Sequence, residues 1–270
     1  MKLMTGWMIG ALLVCINLIM YFFQPGGEEF GNLFGSFYTS VCGLFAIIGM
    51  VSAVNAFKVM DSAKRSWILL MTGIFFFFIA DTMYAVMESI VKLNMDEMFP
   101  SAPDIFYILA YIPIGLSMFM FLNNFKKSGM PFGKWKPVLI PAFTAMLIVV
   151  LVMVKFVFIP IVNDTETSFL AKLVYFFYPL ADMIVLIPAI ILVYVMSLFG
   201  AGLFSRPWQL IALGFILLAA GDLIYAYMSW SSSYSSGGIL DMTWNFAYIL
   251  FAVGALYQRK IVAPADGGKV

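Results

Sequence analysis

Residues 62–87, SAKRSWILLMTGIFFFFIADTMYAVM, decide how this chain is read, because their pattern returns 141 residues later as residues 203–228, LFSRPWQLIALGFILLAAGDLIYAYM. The two stretches align without a gap and share eight of 26 positions: Arg65/Arg206, Trp67/Trp208, Leu69/Leu210, Gly73/Gly214, Asp81/Asp222, Tyr84/Tyr225, Ala85/Ala226 and Met87/Met228. Apolar residues match one another cheaply. A shared Arg-x-Trp, Gly and Asp-x-x-Tyr at fixed spacing is harder to obtain by chance. A second echo, at an offset of 137, sets DIFYILAYI from Asp104 against DMTWNFAYI from Asp241, with Tyr107 replaced by Trp244. We read the chain as an internal duplication in which each half places an aspartate inside an apolar helix.

Composition narrows the class. Of 270 residues, 63% are apolar and 11% charged, and the mean hydropathy is +1.00. A soluble domain of this length needs far more polar surface. Apolar runs of about 18 residues or more are long enough to cross a hydrocarbon core about 30 Å thick. Without water to pair backbone groups, they do so as helices. A net charge of +1 offers no basic face for nucleic acid. The absence of histidine removes histidine-bound haem, histidine-bound zinc and Ser-His-Asp chemistry. Cys15 and Cys42 lie singly in apolar runs and read as core residues, so neither a disulfide nor a metal site is expected, and no cofactor. The first segment, MKLMTGWMIGALLVCINLIMYFF, has an apolar run too long for a signal-peptide core and no small-x-small cleavage site, so it reads as a retained first helix.

The expected fold is an all-α polytopic membrane protein with eight transmembrane helices, roughly 6–23, 31–57, 66–90, 104–123, 137–160, 169–199, 206–229 and 239–258. Turn chemistry separates them: QPGGEE, SAPD, MPFGKWKP and SWSSSYSSGG. Alternate connections differ in charge. One set, with the termini, holds Lys2, Lys58, Lys64, Arg65, Lys126, Lys127, Lys134, Lys136, Arg206, Arg259, Lys260 and Lys269, which is 12 of the 15 basic residues. The other holds Glu28, Glu29, Glu88, Asp96, Glu97, Asp164 and Glu166, with Lys92 the one clear cation. The positive-inside rule then places both termini in the cytoplasm, in the plasma membrane. Residues 1–128 and 129–260 form two parallel four-helix repeats, related by an axis along the membrane normal, and residues 261–270 form a disordered tail.

The chemistry lies in acidic positions within or at the ends of these helices. Asp81, Asp182 and Asp222 fall well inside their spans, whereas Asp104 and Asp241 begin theirs. An aspartate at the bilayer centre costs about 2.5–3.5 kcal/mol on insertion scales, so it faces the bundle or a wet cavity, either to serve a site or simply to tie helices together. Helical spacing sorts them into stripes. Asp81, Tyr84 and Glu88 share one face of the third helix, and Asp104, Tyr107 and Tyr111 one face of the fourth. Tyr175, Tyr178 and Asp182 do so on the sixth, and Asp241, Trp244 and Tyr248 on the eighth; Asp222 and Tyr225 repeat Asp81 and Tyr84 on the seventh. The stripes point most economically at a shared interior, although Tyr107 and Trp244 also suit an interfacial belt. Lys155 either pairs with a carboxylate or snorkels outward as Lys172 does. Trp67 and Trp208, beside Arg65 and Arg206, read as interfacial anchors, and Pro113, Pro179 and Pro188 as helix kinks.

At these residues the chain resembles the multi-pass membrane input modules of prokaryotic GGDEF (diguanylate cyclase) and sensor histidine kinase proteins. The likeness rests on GIFFFFIADTMYAVM, SAPDIFYILAYIPIGL and FFYPLADMIVLIP, that is, on Asp81 with Tyr84, Asp104 with Tyr107 and Tyr111, and Tyr178, Pro179 and Asp182. It implies a sensing module, here without a GGDEF or kinase segment, whose signal a separate partner would carry. A weaker likeness is to lysoplasmalogenase-type eight-helix proteins, through Gly221-Asp222; their Gly-His is absent. The first functional expectation is thus a non-enzymatic sensing or ligand-binding module, taking a small amphipathic or lipid ligand in an outer-half pocket of Asp and Tyr residues. The alternatives are a proton-linked transporter and an intramembrane lipid hydrolase using Asp81 and Asp222 as an acid–base pair.

Overall fold

The helices begin where short polar side chains can take over unpaired backbone N–H groups. In the computed structural model, which describes residues 1–95, 98–129, 136–200, 202–230, 234, 236 and 238–263, Asp61 accepts from the Lys64 amide at 2.8 Å and starts α3, Ser62–Ala85. Ser168 likewise accepts from the Ala171 amide at the start of α7, Phe169–Ser197. Before them come α1, Leu3–Phe23, and α2, Gly27–Val54, joined by a tight turn with positive φ at Gln24, Gly26 and Gly27. A π-turn, Val86–Ile90, extends α3, and α4 is Ala102–Lys127. The fifth long segment is α5, Lys136–Met153, then a π-turn, Val154–Phe158, then a final turn, α6, Ile159–Asn163. After α7 come α8, Arg206–Trp230, and α9, Asp241–Val262. Among the described residues there is no strand. Asp96, Glu97, Lys134, Lys269 and residues 264–270 of the expected tail lie outside the described residues; 261 and 262 still belong to α9.

Among the described residues, seven segments are long and apolar enough to cross a membrane: α1, α2, α3 with its π-turn, α4, the α5–α6 segment, α7 and α8. Their outer faces leave side chains such as Ile112, Leu116, Phe119, Leu147 and Leu151 exposed, an apolar surface of the kind hydrocarbon covers. The expected eighth segment, α9, is not among the seven. Its 22 residues reach about 33 Å at about 1.5 Å each, but it is enclosed by α1, α2 and α8. Its polar Asn245 and Gln258 are buried against protein, so its composition answers to neighbouring helices and not to lipid.

Six helices close a ring in the order α2, α3, α4, α7, α8, α9, with α9 returning to α2. Outside it, α1 packs on α9 and α2, and α5 packs on α7. Close approach depends on small residues. A Cβ on Gly49 would stand 2.8 Å from the Ala252 carbonyl oxygen and 2.9 Å from its Cα, so α2 and α9 touch backbone to backbone there; one on Gly73 would stand 2.9 Å from the Ala110 carbonyl oxygen of α4. The Arg259 guanidinium donates to the Met1 carbonyl, and the Met1 amine lies 3.4 Å from the Ser52 hydroxyl. Both ends of the helical chain therefore meet at one end of the bundle.

One expectation changes. Trp67 and Trp208 are not interfacial anchors: they are 1% and 4% exposed, their rings lie 5.0 Å apart, and Phe121 stacks on Trp208 at 3.5 Å. Each tryptophan stands near the start of its helix on the inward face, where it fills the ring between α3 and α8. Pro113, Pro179 and Pro188 sit within continuous helices, and the irregular turns are the two π-turns. The second ends just before Pro160, whose ring nitrogen has no N–H to donate into the preceding turn.

Candidate functional site

The acidic positions are built into this ring by local chemistry. Asp104, third in α4 after Ser101, accepts from the Ser101 amide at 2.6 Å and its hydroxyl at 3.0 Å, closing the helix start as a capping box. Its other oxygen accepts from the Tyr178 hydroxyl of α7. Asp241 opens α9 and accepts from Tyr234 at 3.0 Å. Burial, and then the charge of Asp241, push the Tyr234 phenol well above its ordinary range, so it stays a donor.

Deeper in the ring each carboxyl group meets an aromatic donor from another helix. Tyr107 donates to Asp81 Oδ1 at 2.6 Å and Tyr248 donates to Oδ2. Trp244 Nε1 donates to Asp222 at 2.7 Å. Tyr111 donates to Asp182 Oδ1 at 2.6 Å. The second oxygen of Asp182, a residue only 1% exposed, has no hydrogen-bond partner. Tyr107 and Trp244 are therefore interior donors, which removes the interfacial-belt reading. Glu88, carried inward by the first π-turn, lies 3.0 Å from the Ser36 hydroxyl and 2.8 Å from that of Ser236.

These side chains enclose a cavity of about 170 Å³ between the six ring helices. It reaches from Asp81 and Asp222 to the α3–α4 and α8–α9 connections, at the end of the bundle opposite Met1. Of the residues expected at a site, Asp81, Tyr84, Glu88, Asp104, Tyr107, Tyr111, Tyr178, Asp222, Tyr225, Asp241, Trp244 and Tyr248 line it. Asp182 stands behind the wall, joined through Tyr111. Lys155 is not in it. It is exposed on the second π-turn, its Nζ 5.2 Å from the centroid of the Phe156 ring, because α5 stands outside the ring and turns that face away from the other helices. Other lining residues were missed: Ser36 and Thr39 of α2, Phe77, Phe99, Tyr175, Tyr234 and Ser236. Tyr175 was visible in the stripe of the sixth span. The serines carried no signal, since a hydroxyl in an apolar helix more often bonds its own backbone.

Among the described residues no group of acidic or cysteine side chains is arranged to hold a metal ion. The cavity's equipment is carboxyl groups, phenols and an indole: it can accept donors, hold protons and present aromatic faces. Compared with known proteins, the chain matches no family model, no curated protein and no solved structure, so its function has to be read from this cavity.

Proposed function

We propose that the chain is an integral membrane sensing or ligand-binding module of eight spans, with both termini in the cytoplasm, that takes a small amphipathic or lipid ligand into the outer-half cavity. The observation that carries this reading is the cavity itself: six helices each contribute polar or aromatic side chains to one small volume. A ligand there touches all of them at once, so its binding energy can shift how they pack, and a separate membrane partner would read that shift. Two parallel repeats are part of the proposal. In its support, Asp81–Tyr107 and Asp222–Trp244 make the same contact at corresponding positions, and the corresponding Trp67 and Trp208 meet each other, as residues beside a twofold axis do. The test is thermal unfolding of the purified full chain against a panel of lipids and metabolites. A saturable rise in midpoint is expected for at least one class; no response across the panel would sink the reading.

One observation favours a second reading, hydrolysis of a lipid. Asp81 and Asp222 both line the cavity and could divide acid and base roles, the pair expected from the repeat. Lipid cleavage by the wild type that is lost in Asp222→Asn would establish it, and an inert wild type would end it.

A further inference from the structure

On the reading that the cavity is a ligand pocket, its lining narrows the class of ligand. Among the described residues that line it, Asp81, Glu88, Asp104, Asp222 and Asp241 are acidic and none is a lysine or arginine. A site that carries acidic groups and no cation among its described residues favours a guest that brings positive charge.

The aromatic walls point the same way independently. Tyr225, Tyr234 and Trp244 form a corner of rings set steeply to one another. Tyr225 and Tyr234 lie 4.8 Å apart at 86°, Tyr225 and Trp244 5.8 Å apart at 69°, and Tyr234 and Trp244 6.4 Å apart at 67°. All three rings border the cavity, and an aromatic face at such a site can hold a quaternary ammonium group. Carboxyl groups flank the corner on both sides, Asp222 at the indole N–H of Trp244 and Asp241 at the hydroxyl of Tyr234. Behind the wall, Asp182 keeps one buried oxygen without a hydrogen-bond partner, so acceptor capacity is left over after the tyrosines have donated. A volume of about 170 Å³ has room for a headgroup.

We propose that the cavity binds an organic cation of headgroup size, an ammonium seated in the corner of Tyr225, Tyr234 and Trp244 with Asp222 and Asp241 as its counter-charges. The same chemistry is carried by a free amine and by an amine-bearing lipid headgroup. The test embeds the full chain in nanodiscs of phosphatidylglycerol, a bilayer without an amine headgroup. Thermal unfolding is then titrated with choline, with ethanolamine, and with 3,3-dimethylbutan-1-ol, which has the shape of choline without its charge.

Choline or ethanolamine is expected to raise the midpoint saturably, with the uncharged isostere at least about tenfold weaker. Tyr225→Leu should lose most of that preference, and Tyr225→Phe, which keeps the ring, should retain it. Lysophosphatidylcholine acting at lower concentration than choline, and lysophosphatidylglycerol not acting, would assign the cation to a lipid; choline acting at the lower concentration would assign it to a soluble amine. Choline and its isostere binding equally would overturn the proposal. A response confined to neutral or anionic members of the wider panel would overturn it too, while leaving the binding reading intact. Silence across every probe would overturn both.

Discussion

Asp81 shows what a carboxyl group needs when it is withdrawn from water. Both oxygens accept from phenols, one from Tyr107 of α4 and one from Tyr248 of α9, so a single side chain joins three helices. Hydrogen bonds between membrane helices contribute about 0.5–2 kcal/mol each. Tyr248→Phe should therefore lower unfolding stability by about that amount, and pairing it with Tyr107→Phe should cost more than the sum of the two, because the second change strips the last donor from the carboxyl. A double-mutant cycle by denaturant unfolding checks this. The residue types of the site were legible in the sequence, since Asp and Tyr recurred at helical spacing inside apolar runs. The partners were not. Tyr178 reaches Asp104 and Tyr111 reaches Asp182 across 74 and 71 residues of chain, and no local pattern encodes such distances.

At the scale of the element, close helix contacts and exposed caps respond to different perturbations. Gly49 lets α2 lie directly on the Ala252 backbone of α9. A methyl there meets backbone that cannot turn aside, so Gly49→Ala should destabilise by about 1–3 kcal/mol, read as a lower midpoint in thermal unfolding. In the connection before α7, Asp164 accepts from the Thr167 hydroxyl, and from the amides of Glu166 at 3.2 Å and Thr167 at 2.9 Å. These bonds, led by the hydroxyl and aided by Lys172, hold its carboxyl below the usual carboxylate range. A lowered value stabilises this turn above the ordinary carboxylate pKa of about 4 and is lost as pH falls through the folded value. The protection of the Thr167 amide, taken relative to its intrinsic exchange rate, should thus hold at neutral pH and fall below about pH 4; protection unchanged down to about pH 2 would contradict it. The helices themselves were legible to within a few residues. The π-turn at Val86–Ile90 was not, although it aims Glu88 at Ser36 and Ser236, because one extra residue in a turn leaves no compositional trace.

At the scale of the molecule, the ring of six helices with α1 and α5 outside it explains why the cavity draws on every other long helix. It also makes the proposed orientation testable. Lys2→Cys and Lys260→Cys, made in a chain with Cys15 and Cys42 replaced, should both react with an impermeant maleimide only from the cytoplasmic side. Lys92→Cys should react only from outside. Labelling of Lys2→Cys and Lys260→Cys from opposite sides would overturn an even number of spans.

Helical architecture and long apolar segments were determined by composition alone, because a backbone without water has few ways to pair its polar groups. So was the list of acidic and aromatic side chains inside those segments, since such residues are costly there and stand out. Tertiary structure alone decided that Trp67 and Trp208 pack against each other and away from the interface, that α9 is sheathed by protein, and that Lys155 lies outside the cavity. It alone decided which phenol meets which carboxyl. The physical reason is that periodicity fixes a residue's position around its own helix, whereas its surroundings depend on which helices become neighbours. That choice is made by close-packing at positions such as Gly49 and Gly73, which meet Ala252 and Ala110 far along the chain.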